Sequence, residues 1–132
     1  MIKTREAMLI YIVDDDGSVR KGLLRLMLSA GFEVRAFANA ERFLEEVHEE
    51  PRACILLDMT MPRLTGVQVQ KRLKDRGIQV PVIAVSARDD EETRQAARNL
   101  GANFFFRKPV DDQALLDAIL WATGTSEATR PA

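Results

Sequence analysis

Short apolar runs alternate with longer amphipathic segments along this chain. Each run holds about five residues rich in Val, Ile, Leu or Phe, a pattern typical of strands buried on both faces of a sheet. Five strands are predicted in this way, at 8–13, 33–37, 53–57, 80–85 and 103–106.

The segments between these runs carry helical spacing. In the first, Val19, Leu23 and Leu26 share one face, and Gly31 is the predicted stop. Three later helices are predicted at 65–77, 90–100 and 111–122, the first of them opened by a capping box. Five alternating β and α units predict a parallel sheet with helices on both faces, because parallel neighbours need a crossover connection.

Other apolar and charged positions on these helices have more than one interpretation. Leu24 and Leu28 form a second apolar ridge on the first helix, for which core packing is the main interpretation and a partner surface the alternative. His48 is expected on the solvated, glutamate-rich face of the second helix. Cys54 lies in the third strand and is predicted to be buried.

Residues with reactive side chains follow four of the five predicted strands. In open parallel sheets, ligands bind at the carboxyl ends of the strands, near the point where strand order reverses. The residues at those ends are Asp14, Asp15 and Asp16 after the first strand, Asp58 after the third, Ser86 after the fourth and Lys108 after the fifth. If the strand order is 2-1-3-4-5, these side chains converge at one edge of the sheet.

Clustered carboxylates repel one another unless a cation compensates them. Oxygen ligands without His or Cys favour Mg²⁺ over softer metals. A carboxylate beside a hard cation, a hydroxyl and a lysine suits a phosphoryl acceptor. Of the three consecutive acids, Asp16 is predicted to cap the following helix rather than to bind metal.

Composition narrows the class of protein. The 132 residues fit one domain, predicted at 1–122, with a polar segment at 123–132 expected to be a flexible tail or the start of a linker. Nineteen basic residues against 20 acidic ones argue against a nucleic-acid-binding surface. The apolar runs are too short to span a bilayer, so no membrane role is expected. A single cysteine suits a reducing, cytoplasmic setting.

Several short motifs occur in register over about residues 8–122. They are Ile12-Val13-Asp14-Asp15-Asp16, Leu56-Leu57-Asp58-Met59-Thr60-Met61-Pro62, Gly66, Val82-Ile83-Ala84-Val85-Ser86-Ala87, Gly101-Ala102 and Lys108-Pro109. In these motifs the chain resembles response regulator receiver domains, with further details similar to the FixJ-type subgroup. The resemblance implies a doubly wound (βα)5 flavodoxin-like fold with strand order 2-1-3-4-5.

The same resemblance implies a role for each matching residue. Asp58 would be the phosphoacceptor and a metal ligand, Asp15 a direct Mg²⁺ ligand, Asp14 a contact to metal-bound water, and Thr60 a ligand through its backbone carbonyl. Ser86 and Lys108 would bind the phosphoryl oxygens. Ser86 and Phe105 would form the switch, and a cis bond is implied between Lys108 and Pro109.

The function implied is a signalling switch rather than an enzyme that turns over other substrates. A sensor histidine kinase would donate the phosphoryl group. The face built from the fourth helix, fifth strand and fifth helix would then signal to an output domain or effector, with a phosphorylation-dependent homodimer as a further expectation.

Three alternatives are weighed against this interpretation. The chain could be an interaction adaptor that is never phosphorylated, although such domains often lose an acid or the lysine. A phosphatase with an aspartyl-phosphate intermediate usually carries a second Asp where Thr60 stands here. A flavodoxin-like electron carrier needs a phosphate loop after the first strand, where the three acids would repel a flavin phosphate.

Overall fold

The computed structural model describes residues 8–88 and 90–124, and these residues form an alternating β/α fold. Its strands are β1 (Leu9–Val13), β2 (Glu33–Phe37), β3 (Ala53–Asp58), β4 (Val82–Ser86) and β5 (Phe104–Arg107). Its helices are α1 (Gly17–Ser29), α2 (Ala40–Glu46), α3 (Gly66–Asp75), α4 (Glu91–Asn99) and α5 (Asp112–Ala122). All strand pairs are parallel, in the order β2-β1-β3-β4-β5. The predicted fold class and strand order are confirmed.

The central strands are apolar along their whole length because both faces of the sheet are covered. Alternate residues of a strand point to opposite faces, so Tyr11 enters one core cluster while Ile10 and Ile12 enter the other. Every residue of β3 and β4 is buried, including Cys54, as predicted. Among the helices of the described residues, none is long and apolar enough to cross a bilayer.

The second strand differs from the prediction of a doubly buried strand. Glu33, Arg35 and Ala36 are exposed, and only Phe37 is buried. The reason is the topology, since β2 pairs with β1 alone and forms one edge of the sheet. The sequence pattern of β2, with two charged residues among five, already reflects this position.

The second helix ends before His48, so the expected helical position of that residue is wrong. Val47 adopts an extended conformation, with φ −73° and ψ 141°, and buries its side chain in the core. The chain leaves the helix there, and His48 is exposed with its Nε2 2.9 Å from a carboxylate oxygen of Glu50.

The apolar ridge of α1 also separates into two parts. Leu24 packs against the core cluster on its side of the sheet, whereas Leu28 is 54% exposed. Core packing is therefore confirmed for Leu24 and wrong for Leu28, which lies one turn further toward the end of the helix.

The loop after β3 is held against the start of α3 by a close backbone approach at Gly66. The predicted capping box is present, with Thr65 accepting from the Gln68 amide and the Gln68 side chain accepting from the Thr65 amide. A methyl group on Gly66 would lie 2.7 Å from Met59 Cα and would overlap the Met59 side chain. Because Met59 follows Asp58 directly, this contact fixes the backbone beside the end of β3.

We expect Gly66→Ala to lower the free energy of unfolding by about 2 kcal/mol, because the Met59 backbone has to move to admit the methyl group. Gly22→Ala is the matched control: a methyl group there meets no atom within 4 Å. In the middle of α1 it should raise the free energy of unfolding by about 0.5–1 kcal/mol. Urea denaturation measures both, and an unchanged Gly66→Ala variant would contradict the packing described.

Candidate functional site

The ends of β1 and β3 bring three carboxylates together. Asp58 is the last residue of β3, and Asp14 follows β1, which runs beside it with Val13 opposite Leu57. Asp14 and Asp58 are 2% and 3% exposed, whereas Asp15 is exposed to solvent. One oxygen from each of the three carboxylates lies within 4.8 Å of the others.

Lys108, just beyond β5, places its ammonium group among these acids. Its Nζ lies 3.0 Å from Asp14 Oδ2 and 3.7 Å from Asp58 Oδ1, and its side chain is 17% exposed. The Lys108 amide donates to the Ser86 carbonyl at 2.8 Å, and the bond to Pro109 is cis, as expected. Three carboxylates and one ammonium leave two negative charges, which a divalent cation would balance.

Asp58, the phosphoacceptor predicted from the sequence, has one carboxylate oxygen that accepts hydrogen bonds from the described residues and one that does not. Thr60 donates to Asp58 Oδ1 through its amide at 3.1 Å and through its hydroxyl at 3.0 Å. None of the described residues donates a hydrogen bond to Asp58 Oδ2. This leaves that oxygen available for a ligand or a reaction partner.

Burial raises the pKa of Asp58 to about 6, and the neighbouring Asp14 charge acts in the same direction. The Thr60 amide and the Lys108 charge oppose this increase in pKa. Desolvation thus makes the free carboxylate energetically unfavourable, and a cation that replaces the lost solvation would stabilise it.

Asp16 is turned away from this cluster toward α1. Its carboxylate accepts from the amides of Ser18 and Val19 at 3.0 and 3.2 Å and from the Ser18 hydroxyl at 2.9 Å. These hydrogen bonds, led by the Ser18 side chain, lower the pKa of Asp16. The predicted helix-capping role is confirmed.

The other predicted site residues lie on β4, on β5 and in the loop after β3. Ser86 is fully buried, and its Oγ accepts from the Arg88 amide at 3.0 Å. Phe105 is half-buried on the neighbouring strand β5, and Thr60 is exposed in the loop. The Arg94 guanidinium stacks over the Phe105 ring, 4.7 Å from its centroid.

Sequence reasoning missed two arginines at this end of the sheet. Arg20 donates through Nη1 to the Asp14 carbonyl at 2.9 Å, and Arg94 covers Phe105. The signal for Arg20 was its place in the first turns of α1, six residues after Asp14, from which a long side chain can reach back to the preceding loop. Arg94 could be found only once α4 was placed beside β5.

The donor set fits Mg²⁺. All three clustered residues offer carboxylate oxygens, and the cluster contains neither His nor Cys. The two negative charges left after pairing with Lys108, together with the desolvated Asp58, provide the electrostatic attraction for a hard divalent ion.

Comparisons with known proteins agree with this arrangement. A family model described as response regulator receiver domain matches residues 10–120. Response regulator protein TodT of Pseudomonas putida is 40% identical over 113 residues, which cover 86% of this chain and 50% of that protein. The chain thus spans about half the length of the curated relatives it matches.

Two solved structures are similar over most of the chain. Response regulator StyR matches with a TM-score of 0.82 and 39% identity, covering 92% of this chain and 62% of that one. FixJ-N matches with a TM-score of 0.80 and 31% identity, covering 89% and 94%.

The raised pKa of Asp58 predicts a dependence of stability on pH. The folded protein holds the Asp58 proton more tightly than the unfolded chain does, so the free energy of unfolding falls as pH rises from 3.8 to about 6. The Asp58→Asn substitution removes the ionisable group and therefore this pH-dependent loss of stability. At pH 7 without Mg²⁺, we expect the variant to be more stable than wild type by about 1–3 kcal/mol, and the difference should shrink toward pH 4.

Urea denaturation at several pH values measures this difference. Asp75→Asn makes the same chemical change at an exposed position on α3 and should leave the pH dependence unaltered. Equal stability of Asp58→Asn and wild type at pH 7 would contradict the assigned desolvation.

Proposed function

Since this chain belongs to the response regulator receiver family of two-component systems, we propose that it accepts a phosphoryl group on Asp58 in a Mg²⁺-dependent reaction. The family is regulatory rather than a family of substrate-turnover enzymes, and its receiver domains work with histidine kinases and output domains. The observation that carries the proposal is the buried Asp58 carboxylate with one open oxygen, beside two further acids and an ammonium group.

The proposed reaction is a nucleophilic displacement at phosphorus. Asp58 Oδ2 forms the new P–O bond as the P–N bond of a kinase phosphohistidine breaks, and the imidazole leaves with the electron pair of that bond. The Thr60 hydrogen bonds to Oδ1 orient the carboxylate while leaving Oδ2 open. Water then attacks phosphorus, the bond between phosphorus and Asp58 breaks, and inorganic phosphate leaves while the free carboxylate is restored.

Asp14, Asp15, Asp58 and the Thr60 carbonyl would hold the metal ion. Bound Mg²⁺ supplies positive charge to the oxygens of the transferring phosphoryl group. Lys108 supplies the second positive charge, and its reach to both Asp14 and Asp58 supports this assignment. In the described structure Ser86 Oγ accepts from Arg88, so the hydroxyl hydrogen is free to donate to a phosphoryl oxygen.

We infer that the response to phosphorylation passes through Ser86 and Phe105. The two residues lie on paired strands, so a hydroxyl that moves toward the phosphoryl group changes the space beside the Phe105 ring. The proposed output face comprises α4, β5 and α5, and phosphorylation biases its equilibrium between two conformations. The Arg94 stack over Phe105 belongs to this face.

The proposed partners are a sensor histidine kinase and an output domain or effector, with homodimerisation as a phosphorylation-dependent step. The proposed receiver domain occupies residues 1–122. Residues 123–132 are proposed to form a tail or linker, and most of that segment, from 125 onward, lies outside the described residues. The cytoplasm is the proposed location.

Phosphorylation can be tested directly with a small phosphodonor. With Mg²⁺ and acetyl phosphate or phosphoramidate, intact-protein mass spectrometry should show one added phosphoryl group on wild type and none on Asp58→Asn. Asp16→Asn is the matched control, because it keeps an N-cap oxygen and lies in the same acidic loop, and it should be modified like wild type. An unmodified wild type, together with melting temperatures insensitive to Mg²⁺, would support the adaptor function instead.

Lys108→Ala separates metal binding from phosphoryl transfer. Removal of the ammonium leaves Asp14 and Asp58 without their cation, so Mg²⁺ should bind a few-fold more tightly, while the phosphorylation rate should fall about 100-fold. Calorimetric titration and phosphorylation kinetics measure the two effects. Arg107→Ala, at the exposed neighbouring position, should change neither. A Lys108→Ala variant phosphorylated at the wild-type rate would remove Lys108 from the mechanism.

A further inference from the structure

The three acids in the loop between β1 and α1 have different surroundings. Asp16 is bound to the first turn of α1, and Asp14 is buried beneath the loop. Asp15 is exposed, and no described residue donates a hydrogen bond to it. The middle acid is therefore presented to solvent between two acids held by the protein.

All four polar backbone and side-chain atoms of Asp14 are engaged. Its amide donates to the Phe37 carbonyl at 3.1 Å, and its Oδ1 accepts from the Asp16 amide at 2.9 Å. Its Oδ2 lies 3.0 Å from Lys108 Nζ, and its carbonyl accepts from Arg20 Nη1 at 2.9 Å. Contacts from β2, α1 and the end of β5 thus converge on one residue.

From this geometry we propose that Arg20 is a positioning residue for the metal site. Its guanidinium holds the peptide unit between Asp14 and Asp15 in the orientation that presents the Asp15 carboxylate to Mg²⁺. The inference rests on the proposed function, because it assumes that Mg²⁺ binds at this acidic cluster.

The planarity of the peptide bond gives the mechanism. The Asp14 carbonyl and the Asp15 amide belong to one rigid plane, so a hydrogen bond that fixes the carbonyl also fixes the positions of the Asp15 nitrogen and Cα, from which the side chain projects. The backbone of Arg20 is itself fixed, since its amide donates to the Asp16 carbonyl at 2.9 Å in the first turn of α1. Arg20 is half-buried on α1, and its planar guanidinium presents its hydrogen-bond donors in a fixed geometry.

Arg20 contacts the backbone carbonyl of Asp14 and not the carboxylate oxygens of the acidic cluster. Within the described residues, it makes no ion pair with Asp14, Asp15 or Asp58, in contrast to Lys108. If Arg20 acted only through its charge, its removal would change the affinity for Mg²⁺ in one direction. If it acts by positioning the loop, its removal would change that affinity in the opposite direction. Loss of a nearby positive charge would tighten the binding of a cation, whereas loss of the anchored loop geometry would weaken it.

The test is a calorimetric Mg²⁺ titration of the full chain as wild type and as Arg20→Ala, Arg20→Lys and Lys21→Ala. Loss of a residue that orients a metal ligand typically costs 10- to 100-fold in affinity, so Kd should rise about tenfold in Arg20→Ala. Arg20→Lys keeps one donor and should fall between that variant and wild type. Lys21→Ala removes the same charge from an exposed neighbouring position and should match wild type.

A second measurement separates positioning from a general loss of function. At saturating Mg²⁺, the rate of phosphorylation by acetyl phosphate should stay near the wild-type value in Arg20→Ala, because Asp58 and Lys108 are untouched. The expected signature is a weaker Kd with a preserved maximal rate.

Tighter or unchanged Mg²⁺ binding in Arg20→Ala would overturn the inference, as would an equal loss of affinity in Lys21→Ala. If circular dichroism shows that Arg20→Ala does not fold, Arg20→Lys decides, and wild-type affinity in that variant would overturn the inference. A wild type that does not bind Mg²⁺ would instead refute the proposed function. Wild-type binding with no change in Arg20→Ala would refute the role of Arg20 alone.

Discussion

The repulsion between buried carboxylates at the ends of β1 and β3 is the constraint on which the rest of this structure depends. Asp14 and Asp58 are almost completely buried, and the parallel sheet places them side by side. Lys108, brought from β5 across the top of β4, is the cation that makes this tolerable. The residual negative charge would attract an external cation and, in the proposed function, the cation would in turn attract a phosphoryl group.

The strand order explains why such distant residues meet. With β1 and β3 adjacent and β2 moved to the edge, the two acidic strand ends have no other strand between them. The sequence separates Asp14 from Asp58 by 44 positions and Asp58 from Lys108 by 50, yet all three side chains meet at one rim of the sheet. The apolar interior of β3 and β4 makes this rim rigid, because both faces of those strands are packed.

Much of this arrangement could be predicted from the sequence, and the differences have physical causes. Periodicity and motif order predict the five units and the acids at the strand ends, because both depend on local spacing. The charged residues of β2 do indicate its exposed face, but the exposure of Leu28 depends on which surfaces other elements cover, and helical spacing alone does not carry that information. The end of α2 was missed because Val47, which helical spacing would continue, is drawn into the core in an extended conformation. Arg20 was missed because its contact is with a backbone carbonyl rather than with another charge.

The exposed charges of β2 have a further consequence for the association of this chain. An open sheet has two edge strands, each with unpaired backbone groups that invite another strand to add to the sheet. On β2, the exposed Glu33 and Arg35 flank this edge, and the Arg35–Glu46 pair at 2.9 Å places a further carboxylate beside it. An incoming strand would have to desolvate these charges, so this side of the protein is protected against aggregation through sheet extension.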